Sequence, residues 1–99
     1  KRAQEVYQEV YEDLGRPGQR IARRVFTRAV LDRGSGALTR RRVATDELMA
    51  AGEPPQQLHR VLEAFAGPKA RMLTLTREPE PNGSVELTHE VLLDHWWRL

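Results

Sequence analysis

Leu73-Thr74-Leu75-Thr76, then Arg77-Glu78-Pro79-Glu80-Pro81-Asn82-Gly83, then Ser84-Val85-Glu86-Leu87, is the stretch on which the fold turns. Apolar and polar residues alternate on both sides of a segment that holds two prolines, an asparagine and a glycine. In an extended chain, successive side chains point to opposite faces. Two alternating runs around such a turn-rich segment therefore predict a β-hairpin with one face on the core. A plain helical bundle gives no reason for that period of two.

Upstream the rhythm is helical. Leu58, Val61, Leu62 and Phe65 stand at i, i+3, i+4 and i+7, predicting an amphipathic helix that Pro55 can open and Gly67-Pro68 closes. Before it, Thr45 offers an N-cap to a brief helix. Asp46 and Glu47 complement the positive end of its dipole, and Gly52 with Pro54-Pro55 ends it. Residues 37–43 are short, basic and compatible with a strand, and follow a Gly34-Ser35-Gly36 loop. Ile21, Ala22, Val25, Phe26, Ala29 and Val30 predict a helix over residues 19–31, with Arg20, Arg24 and Arg28 stacked on another face. Val6, Tyr7, Val10, Tyr11 and Leu14 predict a leading helix stopped by Gly15 and the Pro17-Gly18 pair, with both tyrosines in the core. Downstream of the hairpin, Thr88 can cap a last helix carrying Val91, Leu92, Trp96 and Leu99. The expected fold is mainly α with a small β-hairpin (α+β). Its pattern is a winged helix-turn-helix with an extra leading helix and a closing C-terminal helix.

Ninety-nine residues suit one small domain over residues 1–99, and a core of this size leaves room for a neighbouring domain to matter. The absence of cysteine excludes a disulfide framework, a thiolate metal site and a cysteine nucleophile. No run approaches about 18 apolar residues, so no membrane span is expected. Without a signal-peptide pattern or an initiator Met, the chain is expected to be a fragment of a larger cytoplasmic protein. Net charge is +2. The first fifty residues carry 11 basic and 7 acidic groups, the rest 5 and 7; residues 16–42 hold nine Arg against Asp32 alone. Such a block can meet phosphate, an acidic protein surface or only water.

Catalytic patterns are missing. There is no G-x-x-x-x-G-K-[ST] phosphate loop and no G-x-S-x-G nucleophile elbow. His89-Glu90 begins like a zinc-binding H-E-x-x-H, but Leu93 stands where the second His is needed, and His95 is six residues from His89 on another face. No metal, no catalytic residue and no cofactor of its own is expected, so the isolated domain is expected not to be an enzyme. For DNA, the reading helix would open near Pro55 with Gln56, Gln57, His59, Arg60 and Glu63. Arg60 and Glu63 cancel, Glu53 stands just ahead, and Glu78 and Glu80 at the wing tip would repel phosphate. Nucleic acid is thus a disfavoured partner, and His59 is expected to be a plain surface residue.

One segment is more specific. Val85-Glu86-Leu87-Thr88-His89-Glu90-Val91-Leu92-Leu93-Asp94-His95-Trp96 resembles the E-L-[AT]-H-E-[AV]-L-L-x-x-W signature of bacterial STAND-type signal-transduction NTPases, relatives of the AP-ATPase and NACHT groups. Thr39-Arg40-Arg41-Arg42-Val43 is similar to the family's T-R-R-R-V segment, followed by Asp46-Glu47-Leu48, and Ala70-Arg71-Met72-Leu73 to its A-R-L-L strand entry. The resemblance implies a winged-helix regulatory domain behind an NTPase module, with repeat or sensor domains in the same chain. It implies ADP or ATP bound in the parent protein, and His89 as the group that meets the ADP phosphate in the closed, inactive state. Thr88 stands where immune receptors carry the Met of a Met-His-Asp motif, and Trp97 replaces a Pro often found after the first Trp.

The residues themselves allow the chemistry. A Thr88 N-cap would set His89 in a first helical turn, where unpaired backbone N–H groups and the positive dipole end face outward. An imidazole N–H there can donate to a phosphate oxygen; equally, His89 can pack or bond locally at a helix start. Arg40, Arg41 and Arg42 can contact the NTPase module or form a basic edge that blocks strand pairing. Trp96 and Trp97 are adjacent and cannot both face one core, which makes Trp97 a candidate for an interface with a following domain. Three readings follow: a regulatory module that relays nucleotide state, a DNA-binding winged helix, and a protein-interaction adaptor whose Arg20, Arg24 and Arg28 face docks an acidic partner.

Overall fold

The period-two alternation is realised as two antiparallel strands. A computed structural model describes residues 3–32, 38–40 and 42–88. Within them run α1 (Ala3–Asp13), α2 (Gly15–Arg28), β1 (Val30–Asp32), β2 (Leu38–Arg40), β3 (Val43–Ala44), α3 (Thr45–Leu48), α4 (Pro55–Ala66), β4 (Leu73–Thr76) and β5 (Ser84–Leu87). Strands β4 and β5 pair with Leu73 opposite Leu87 and Thr76 opposite Ser84. β3 adds to the far side of β5, Val43 opposite Val85, so the order is β3-β5-β4. The hairpin is thus part of a three-stranded sheet. The period of two selects Val43, Leu73, Val85 and Leu87 for the core. Leu75 shares their face but lies further toward the hairpin tip, and it is 43% exposed.

Helix α4 follows the expected pattern: Pro55 occupies its first turn, where a missing N–H costs no hydrogen bond, and Gly67 caps it through a bond from its N–H to the Glu63 carbonyl. Its stripe Leu58, Val61, Leu62 and Phe65 is buried against Ile21, Ala22, Val25 and Phe26 of α2. Helix α1 closes the core from outside with half-buried Val6, Tyr7, Val10 and Tyr11, joined by half-buried Leu14 just beyond it. Three of its helices meet in an aromatic cluster. Tyr7 stacks on Phe65 with centroids 5.4 Å apart, and meets Phe26 edge-on at 5.1 Å. Phe26 meets Phe65 edge-on at 4.9 Å.

Several boundaries differ from expectation. α2 starts at Gly15 rather than 19, with Pro17 and Gly18 inside its first turn rather than in a break. A first-turn proline loses no bond, and a Cβ at Gly18 would lie 2.8 Å from the Cβ of Leu14, so glycine lets the α1–α2 elbow close. The chain turns instead at Leu14-Gly15, where Gly15 has φ +74°. α2 ends at Arg28, and the residues expected to continue it form β1, which pairs with β2 as a second small hairpin, Val30 opposite Arg40. The Gly34-Ser35-Gly36 loop lies outside the described residues. Thr45 is not a cap: Ala44 holds the N-cap position without a side-chain bond, and Thr45 is a buried first-turn residue whose N–H donates to the Gly83 carbonyl at 2.9 Å. α3 stops at Leu48, ahead of Gly52.

That bond is one of two that fasten the hairpin tip to α3. The Asn82 side-chain amide donates to the Asp46 carboxylate at 2.6 Å. Gly83 sits at φ +80°, and a Cβ there would fall 2.0 Å from the Thr76 carbonyl oxygen, so only glycine fits this crossing. Among the described residues no helix is long and apolar enough to cross a membrane.

Candidate functional site

Strand β5 ends at Leu87, buried opposite Leu73, and Thr88 continues the pairing: its N–H donates to the Met72 carbonyl at 2.9 Å. Its hydroxyl donates to the Arg71 carbonyl, also at 2.9 Å. Arg71 in turn is left-handed, φ +50°, a conformation that costs a side-chain-bearing residue about 1 kcal/mol. Two bonds hold it: its N–H donates to the Gly67 carbonyl at 2.9 Å, and the next N–H, of Met72, donates to the Phe65 carbonyl at 2.8 Å. The exit of β5 is therefore tied to the turn that follows α4. Thr88 spends its hydroxyl proton on Arg71, and its lone pairs remain able to accept, which is what an N-cap requires. The expected last helix, with His89, Trp96 and Trp97, lies outside the described residues.

The basic segment is divided. Arg41 lies outside the described residues, Arg40 is described through its strand pairing with Val30, and Arg42 is exposed immediately before β3. β3 is an edge strand of its sheet, so Arg42 borders an edge.

The arginines of α2 do not form one face with one role. Arg24 reaches Glu53, in the turn before α4, at 2.5 Å. Arg28 donates to the Glu47 carbonyl at α3. Both are internal ties from α2 to the segment that follows it, which corrects the expectation of a single Arg20, Arg24 and Arg28 docking face. Arg20 is exposed and instead joins Arg16 and Arg23. With Tyr11 and Gln19 these three line a cleft of about 450 Å³ at the α1–α2 elbow. The Arg23 guanidinium lies 5.6 Å from the Tyr11 ring centroid, and the Gln19 amide donates to the Tyr11 carbonyl at 3.1 Å. Sequence reasoning passed over Arg16 and Arg23, although Arg16, Arg20 and Arg23 stand at i, i+4 and i+7; placing Arg16 in a break hid the pattern.

Elsewhere the surface is mixed. On α4 Gln56, His59, Arg60 and Glu63 are exposed, the last two of opposite charge, and Gln57 is half-buried. A second cleft, of about 620 Å³, lies along the hairpin tip between Leu75, Thr76, Arg77, Glu80, Pro81 and Asn82. Burial raises the Tyr7 phenol above its ordinary value, neighbouring Tyr11 adds to the rise, and Arg23 opposes it. Among the described residues no group of three His, Asp or Glu side chains could hold a metal ion.

The family described as novel STAND NTPase 1 matches the chain over residues 1–99. No curated protein and no solved structure matches it. A match over the full length, together with a mixed α+β fold, shows that the chain belongs to the novel STAND NTPase 1 family.

Proposed function

We propose that the chain is a winged-helix module that regulates a STAND NTPase without catalysing the reaction itself. Apart from the β1–β2 hairpin inserted between α2 and β3, the order α2-β3-α3-α4-β4-β5, with β3 added beyond β5, is the arrangement expected of a helix-turn-helix followed by a wing. The module acts within a longer cytoplasmic chain, beside the NTPase module and sensor domains, and the nucleotide it responds to is ADP or ATP bound there.

The observation that carries this reading is the anchoring of Thr88. Its two bonds to the Arg71-Met72 turn fix the point from which the chain enters the His-Glu pair of the family signature. A group presented from such an anchor meets a phosphate with little loss of freedom. His89 donates an imidazole N–H to the ADP phosphate in the closed state and loses that contact when the module swings away. One charge-assisted bond is worth roughly 1.5–3 kcal/mol, which biases a two-state equilibrium by about tenfold to a hundredfold. In a chain that includes the NTPase module, His89→Ala is therefore expected to speed ADP release by that factor and raise basal signalling. An unchanged ADP off-rate overturns the proposal.

The exposed face of α4 argues against the DNA reading, since Arg60 is offset by Glu63, and Glu78 and Glu80 are exposed at the hairpin tip.

A further inference from the structure

We propose that the cleft at the α1–α2 elbow is a docking site for an acidic polypeptide segment, recognised by Arg16, Arg20 and Arg23. This proposal does not rest on the nucleotide reading above. All three side chains are exposed, and none pairs with a carboxylate among the described residues. Their neighbours on α2 show the contrast: Arg24 and Arg28 are consumed by Glu53 and the Glu47 carbonyl. No acidic side chain lines the cleft.

The spacing matches a peptide. Positions i, i+4 and i+7 share one helix face and span about 10 Å. Carboxylates at the same spacing on a partner helix meet them one for one, and a guanidinium grips a carboxylate through two parallel N–H bonds. The cleft is held ready for this. Gln19 ties the helices together through the Tyr11 carbonyl, and Tyr11 supports the Arg23 guanidinium with its ring. A preorganised fork loses less freedom on binding.

The test uses the whole 99-residue chain. The probe is a labelled helical peptide with Glu at i, i+4 and i+7 on an Ala/Gln background, beside the same peptide with Gln at those positions. The Glu peptide is expected to bind, the Gln peptide not, and added salt to weaken the complex. Arg16→Gln/Arg20→Gln/Arg23→Gln is expected to weaken binding about tenfold or more. Arg60→Gln/Lys69→Gln/Arg77→Gln, with the same change in net charge, is expected to leave it unchanged. Far-UV circular dichroism checks the fold of both. Should the cleft triple variant unfold, Arg20→Gln alone, at an exposed position, is expected to show a smaller loss in the same direction. Equal loss in both triple variants, no preference for Glu over Gln, or tighter binding of a short single-stranded DNA than of the Glu peptide overturns the proposal.

Discussion

Arg24 on α2 and Glu53 in the turn before α4 meet at 2.5 Å across 29 positions of sequence, with 21% and 24% of their side chains exposed. The pair is therefore neither a solvated surface contact nor a dry one. The Arg24 Nε is buried without a partner, so the guanidinium already carries part of a desolvation cost. Glu53→Ala leaves that guanidinium half-buried and without its carboxylate. The expected loss is about 1–2 kcal/mol, between the surface and buried limits for ion pairs. Arg24→Met combined with Glu53→Met is expected to recover much of it, because both charges are gone and the stems still pack. Urea unfolding of the parent chain and the two variants decides; a double variant as unstable as Glu53→Ala would mean that the pair itself, not the stranded charge, sets the loss.

Two glycines with similar backbones should respond very differently to alanine. Gly52 has φ +83° with open space where a Cβ would go, and Gly83 has φ +80° with the Thr76 carbonyl oxygen 2.0 Å from that point. Gly52→Ala is expected to cost about 1 kcal/mol, the backbone term alone. Gly83→Ala adds a clash with backbone that cannot yield without breaking the β4–β5 turn, and should cost about 3 kcal/mol or more. Similar midpoints for the two in denaturant would show that the backbone at Gly83 yields to a side chain without loss of the turn.

The tip of the hairpin is fastened to α3 by Asn82 on Asp46 and by Thr45 on Gly83. Removing the exposed side-chain bond with Asn82→Ala should cost only about 0.5–1 kcal/mol globally. Its main effect is expected to be local: faster amide hydrogen exchange over residues 77–83, with α4 unaffected. Uniform acceleration across the domain would assign the bond a global role instead.

Tyr7 binds its proton more tightly in the folded state, because burial raises its phenol and Tyr11 adds to that. The native state then holds more protons than the unfolded chain at alkaline pH, so stability falls as pH rises. This contribution is complete below the unfolded tyrosine value of about 10, and is lost as pH climbs from there through the folded value. Tyr7→Phe cannot ionise. The stability difference between the parent chain and Tyr7→Phe is expected to be flat at neutral pH and to decline above about pH 10. A difference with no alkaline slope would remove burial as the controlling influence on this phenol.

Local pattern was legible wherever the physics was local. The stripe of Leu58, Val61, Leu62 and Phe65 and the alternation around Val85 report their own secondary structure, because side-chain direction repeats with the backbone period. The ends of α2 were not legible. Its start depends on Gly18 fitting against Leu14, and its stop on residues 30–32 finding partners at 38–40. The apolar positions alone would carry the helix further.

The candidate site divides the same way. The His89 signature, the basic run at residues 40–42 and the missing phosphate loop are written in residue order, and that order suffices to join the chain to its family. Which arginine is a tie and which is left on the surface could be decided only by folding. Arg24 and Arg20 are one helical turn apart and chemically identical, and they differ because one of them comes within reach of Glu53 when α4 packs on α2. Electrostatic partnership depends on distance through space, and residues so far apart along the chain acquire that distance only from the packed core.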